Sequence, residues 1–178
     1  SLLLILRLLT GCSGHGGQEI ISIENELFVK SFYGNRSKAD VIRHMYACRE
    51  TKRILNEKGT PYFEFILNGQ LCTSEEKLWI FKDMHQRPLQ NGGSEYSLEF
   101  EGARGEVKDL GLTIRQQLFP SSTLIREQLT LHSQGKKFTL NKKQGELHFV
   151  FPAYSLRLKD SEKAGSAEIR LASWEKNP

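Results

Sequence analysis

A chain of 178 residues, 38% hydrophobic and 26% charged, carries enough apolar material for one domain with a real core and is not a disordered polymer. Its 25 basic and 21 acidic residues leave a formal charge of +4, and no run of Lys or Arg is longer than two. The clustered basic stripe that nucleic acid requires is therefore not expected, and the charges read as a solvated surface.

The first residues are a different material. Ser1 to Cys12 reads S-L-L-L-I-L-R-L-L-T-G-C, an aliphatic run closed by small residues and a cysteine. It is too short to span a bilayer as a helix and fits the hydrophobic part of an export signal. Leu9-Thr10-Gly11-Cys12 resembles the bacterial lipoprotein lipobox, which implies acylation of Cys12. A plain secretory signal or a buried apolar strand is the other reading. The expected organisation is a leader over residues 1–11, a flexible tether over 12–18 and one β domain over 19–178, incomplete at its C-terminus. The expected location is the bacterial outer membrane or cell surface, anchored at Cys12, or else the periplasm or the medium.

An exported chain meets an oxidising environment, so Cys48 and Cys72 read either as a disulfide or as two buried free thiols. Their spacing, with no companion histidine pair, argues against a zinc site, and no cofactor or metal is expected.

Taken in order, Glu19 to Ile23 and Leu27 to Tyr33 predict two strands, closed by Gly34-Asn35. Asn35-Arg36-Ser37 has the form of a glycosylation sequon and is read as an exposed loop. Residues 38–58 predict one strand with a short turn or helix, since Val41, Arg43 and Met45 alternate. Tyr62 to Leu67 is an aromatic-rich strand, and Asn68-Gly69 is the strongest short hairpin signal, with Gln70 to Thr73 as the return strand. Glu75 to Phe81 predicts another strand, and Asp83 to Gly93 a polar loop.

Beyond it the alternation becomes regular. Tyr96, Leu98 and Phe100 share a face. So do Leu112, Ile114, Gln116 and Leu118, and then Ile125, Glu127, Leu129 and Leu131. Period-two runs of this kind make strands of an antiparallel sheet with one wet face. Phe138 to Leu140, Leu147 to Phe151, Tyr154 to Leu158 and Ala167 to Trp174 complete about ten short strands with at most one short helix. The fold expected is an all-β, antiparallel β-sandwich.

Leu112 to Leu118, the Phe119-Pro120-Ser121-Ser122 break and Thr123 to Leu131 together resemble the N-terminal β-sandwich of α-galactosidase-like glycoside hydrolases. In that family the break opens a long arch between sheets. The Asn68-Gly69 hairpin, Leu78-Trp79, Phe151-Pro152-Ala153-Tyr154 and Ile169 to Trp174 fit the same layout, although His132-Ser133 stands where the family has an asparagine. The resemblance implies a supersandwich similar to the galactose mutarotase-like fold, and a catalytic (β/α)8 barrel expected in cis as partner. The barrel alone needs about 250 residues, so the resemblance implies a non-catalytic supporting region and carries over no catalytic residue. The alternative is a free-standing surface lipoprotein that binds glycan or a partner protein through a sheet face.

Sugar binding needs aromatic rings for stacking with amides or carboxylates nearby. Trp79, Trp174, Tyr96 and Tyr154 are the candidates, although aromatic residues in strands are more often core. A mutarotase-type acid and base would need His132 or His148 to converge with Glu127 or Glu146 on one face. Paired glycosidase carboxylates would need two acids on neighbouring strand ends; Glu99 and Glu101, at i and i+2, read instead as solvent-facing.

Overall fold

The structure is a computed structural model that describes residues 18–51, 60–122, 124–133, 135, 137–143 and 145–152. Alternating apolar and polar residues do here what the pleat dictates, sending every second side chain to one face. Three strands, β1 (Gln18–Glu24), β2 (Phe28–Gly34) and β3 (Arg43–Cys48), form an antiparallel sheet in that order. Four more, β6 (Trp79–Pro88), β7 (Ser94–Gly102), β8 (Leu110–Leu118) and β9 (Ile125–Ser133), form a second antiparallel sheet in chain order. A 3₁₀ turn, Gly105–Val107, precedes β8. A third sheet joins β4 (Glu64–Leu67) and β5 (Gln70–Thr73) to the short β12 (Phe149–Val150). The small ribbon of β10 (Lys142–Lys143) and β11 (Glu146–Leu147) stands beside it. The fold is an all-β antiparallel sandwich.

The core lies between the first two sheets and under the third. Phe28 and Phe32 of β2, Phe81 of β6, Leu98 and Phe100 of β7, and Leu112 and Ile114 of β8 are all buried in one cluster with Tyr62, Phe63 and Phe65. Seams between elements are closed by backbone bonds: Asp40 bridges to Trp79, and the Phe81 amide donates to the Asn35 carbonyl at 2.8 Å.

The Asn68-Gly69 pair turns β4 into β5 as read. Both residues have positive φ, 48° and 84°, which a two-residue hairpin of this hand requires. Residues 38–51 supply the predicted strand, β3; residues 52–58, the rest of that segment, lie outside the described residues. Three expectations need correction. The polar segment after Asp83 is not a loop but the continuation of β6, paired with β7 as far as Pro88 and Ser94. β6 is an edge strand with exposed residues on both faces of its second half, so it looks polar. Its Pro88 stands at the strand end, where a missing N–H breaks no ladder.

The Phe119-Pro120 break does not open an arch between sheets. β8 and β9 pair with each other from Leu118↔Ile125 to Leu110↔Ser133, as the two arms of a hairpin within one sheet. Finally, Phe138 and Thr139 form no strand, and Leu147 to Phe151 is split at His148 into β11 and β12. His148 donates its amide to the Asn141 carbonyl at 3.3 Å, and its own carbonyl accepts from Ile66. The last two strands read from the sequence, with Tyr154 and Trp174, lie outside the described residues, as does Cys12.

Candidate functional site

Two polar constellations stand out, one open and one closed. The open one is a cleft of about 230 Å³ at the end of the sandwich where the β1–β2, β6–β7 and β8–β9 turns meet. The sequence builds it from turn residues. Asn25 ends β1, and its Oδ1 accepts from the Leu27 and Phe28 amides at 2.9 and 3.0 Å, closing the turn into β2. Its Nδ2 donates to the carbonyls of Phe119 at 3.0 Å and Ser122 at 2.8 Å. One amide side chain thus ties the β8–β9 turn to the opposite sheet. Gly93 lies on the facing turn; a Cβ there would come within 2.5 Å of the Leu118 carbonyl and 2.9 Å of the Phe119 ring, so only glycine lets the two turns close on each other.

Polar groups line the mouth. Arg49 donates to the Asn25 carbonyl at 2.8 Å and lies 3.7 Å from the Glu24 carboxylate. Glu26 accepts from Ser121 at 2.9 Å. Tyr96 supplies the aromatic ring of the wall; it is half-buried, and its hydroxyl accepts from Gln86 at 3.2 Å.

Of the aromatic residues read as sugar-stacking candidates, Tyr96 alone falls on an accessible surface among the described residues. Trp79 is 1% exposed, with its ring edge-on to Phe63 at 6.0 Å, so it offers no face to a ligand. That corrects the reading of Trp79: its place at the first residue of β6 turns it inward, beside Phe81 two positions on. Cys48 and Cys72 are both free thiols, on strands of different sheets, so the disulfide alternative is not taken up. Burial pushes the Cys72 thiol up to about 11, whereas hydrogen bonds from Thr51 hold Cys48 below the usual thiol range.

The outer face of the four-stranded sheet is a ladder of charge. Arg87 and Gln117 both donate to Glu95 at 2.7 Å, and Arg126 reaches Gln117 at 3.4 Å. These bonds, Arg87 first, hold the Glu95 carboxyl below its usual range. Glu99 and Glu101 face solvent on the same side, as read, with Lys82 at 2.6 Å from Glu101. His132 bonds Thr113 at 3.0 Å on this outer face while Glu127 points into the core, so the two do not converge. His148 pairs instead with Glu64.

The closed constellation is one that sequence reading missed. Lys30, on β2, is wholly buried between the two large sheets. Its ammonium donates across the core to Gln116 Oε1 at 3.1 Å, to Tyr62 Oη at 3.2 Å and to Glu127 Oε1. Gln116 Nε2 donates to Tyr62 Oη at 2.8 Å, and Tyr62 Oη donates to Glu127 Oε2 at 3.2 Å. Lys30 also stands 4.7 Å from the centre of the Tyr62 ring and 5.2 Å from that of Phe32. The His44 ring tilts against Tyr62 at 4.3 Å. Desolvation lowers the Lys30 pKa to about 8 in spite of Glu127. Desolvation, with the Lys30 charge added, pushes His44 down to about 3. Every charge-bearing atom of this cluster has a partner, the condition on which burial of an ion pair is tolerable.

A signal for it was present. Lys30 lies two residues from both Phe28 and Phe32, Gln116 between Ile114 and Leu118, and Glu127 between Ile125 and Leu129. Each is a polar residue in the middle of an apolar face, and three such residues can satisfy one another only if their faces meet. No groups of three or more His, Cys, Asp or Glu side chains able to hold a metal occur among the described residues, and no helix is long and apolar enough to cross a membrane. Comparison with protein-family models, with curated proteins and with solved structures finds no match.

Proposed function

We propose that this chain is the non-catalytic β-sandwich region of an exported α-galactosidase-like glycoside hydrolase, and that it contributes a sugar-binding wall through the cleft beside Tyr96. The observation that carries the binding role is the composition of that cleft. A half-buried tyrosine ring, bonded to Gln86, lies beside two carboxylates, Glu24 and Glu26, and the Arg49 guanidinium; Arg49 bonds the Asn25 carbonyl and Glu26 bonds Ser121. A ring face stacks on the C–H surface of a pyranose, while carboxylate and guanidinium take its hydroxyls in pairs. The outer face of the four-stranded sheet offers charge without an aromatic platform among the described residues, which favours the cleft over that sheet face. The glycosidase setting rests on the resemblance of Gly111 to Leu131, and export on the leader with its Cys12.

Calorimetric titration of the whole chain with an α-linked galactosyl disaccharide tests the binding role. The expected result is saturable binding, about millimolar or tighter, weakened at least ~10-fold by Tyr96→Ala. Absence of binding, or equal binding by the variant with its circular dichroism unchanged, overturns the assignment of the cleft.

A further inference from the structure

The buried cluster has the parts of a reaction as well as those of an ion pair. We propose that Lys30 and Gln116 become joined by an intramolecular amide bond, formed by the chain itself with Glu127 transferring the proton, so that the two large sheets are covalently welded.

The geometry supplies each requirement. The nucleophile is an amine in a dry site: Lys30 and Gln116 are both 0% exposed. Burial favours the neutral form of that amine, and with a pKa of about 8 roughly a tenth is neutral at pH 7. The electrophile is the Gln116 carboxamide, whose oxygen is 3.1 Å from Lys30 Nζ, with the carbonyl carbon one bond beyond. The Glu127 carboxylate contacts the same nitrogen. Tyr62 fixes the other two partners at once, accepting from Gln116 Nε2 at 2.8 Å and donating to Glu127 at 3.2 Å. β2 and β8 hold the reacting groups beside each other, the kind of positioning that favours an intramolecular reaction.

The step balances without an outside reagent. Neutral Lys30 Nζ adds to Gln116 Cδ, forming the new C–N bond. Glu127 takes a proton from Nζ, and one returns to Nε2 through the Tyr62 hydroxyl that bridges Glu127 and Gln116. The Cδ–Nε2 bond then breaks and ammonia leaves. The products are one secondary amide and one ammonia, and the Glu127 carboxylate is regenerated. Exclusion of water from the cluster protects the amide from hydrolysis. An ionised Glu127 is a poor acyl donor beside a neutral carboxamide, which assigns Gln116, not Glu127, as the partner of Lys30.

Accurate intact-mass measurement of the full chain, followed by tryptic mapping, tests this. The expected mass is lower than the sequence requires by one ammonia. Cleavage after Lys30 is expected to be blocked, and a branched peptide should join the segment containing Lys30 to the segment of residues 116–126. The branched peptide is the decisive readout, because a succinimide at Asn68-Gly69 would also release ammonia. In Glu127→Ala the sequence mass should return and the branched peptide disappear. A wild-type chain of full sequence mass with ordinary cleavage after Lys30 overturns the proposal. Loss of one water with a Lys30–Glu127 branch overturns Gln116 as acyl donor, and a crosslink that survives in Glu127→Ala overturns the role of Glu127.

Discussion

His44 is the residue whose surroundings determine how the protein meets acid. Its ring lies against Tyr62, and burial together with the Lys30 charge pushes its pKa down to about 3. Released in the unfolded chain it titrates near 6.5. Between those values the unfolded state binds more protons than the folded one, so stability falls as pH drops from about 6.5 towards 3. The slope from this one group is at most ~1.4 kcal/mol per pH unit. Urea unfolding at pH 7 and pH 5 should show that loss in the wild type and a smaller one in His44→Phe, which keeps an aromatic ring there. An equal loss in both would show that His44 is not the group responsible. Lys30 makes a related point about reading sequences. A lysine in a strand is usually taken as a mark of the wet face, and here it is wholly withdrawn from water, because Phe28 and Phe32 fix its side of the pleat.

Turns are the elements that set the cleft. The Asn25 side chain makes four hydrogen bonds, two closing its own turn and two reaching the Phe119 and Ser122 carbonyls across the sandwich. Asn25→Ala would leave those groups to water or unpaired, at a cost of about 2–4 kcal/mol. Thermal unfolding should show the loss, and a change within a few tenths of a kcal/mol would mean that the turns hold without it. The strands themselves were largely legible: β7, β8 and β9 follow period-two runs, β1 and β2 short apolar runs closed by turn residues, and β4 and β5 the Asn68-Gly69 hairpin signal. Misreadings arose where local pattern does not decide. The second half of β6 is polar on both faces because it is an edge, and only its ladder with β7 makes it a strand. The turn after Phe119 carries no mark that distinguishes a hairpin from a crossing between sheets; that is decided by the register of β8 on β9. Of the site, Tyr96 was legible as an aromatic residue among polar neighbours, whereas Arg49, Glu24 and Glu26 were not, since loops far apart in sequence bring them together.

At the scale of the whole molecule, two sheets meet through an apolar core with one polar cluster at its centre and one cleft at its end. The cluster joins the sheets: its members come from β2, from the segment before β4, from β8 and from β9, so it forms only when the sandwich closes. Buried ion pairs of this kind add little net stability but are strongly destabilising when one partner is lost. Relative to the chain before the amide forms, Lys30→Met alone, which strands Glu127, should therefore destabilise by about 3–5 kcal/mol. The double change Lys30→Met with Glu127→Leu should recover much of that in denaturant unfolding. A double variant no more stable than the single one would show that packing, and not the stranded charge, sets the cost.

The cleft is where the proposed function stands or falls. Chemical-shift mapping of the isotopically labelled chain, titrated with an α-linked galactosyl disaccharide, tests it most directly. Saturable shifts are expected, confined to residues around the cleft such as Glu24, Asn25, Glu26, Arg49, Gly93, Tyr96 and Phe119. An unchanged spectrum at saturating sugar, or shifts centred on the outer ladder of Arg87, Glu95 and Gln117, would contradict it.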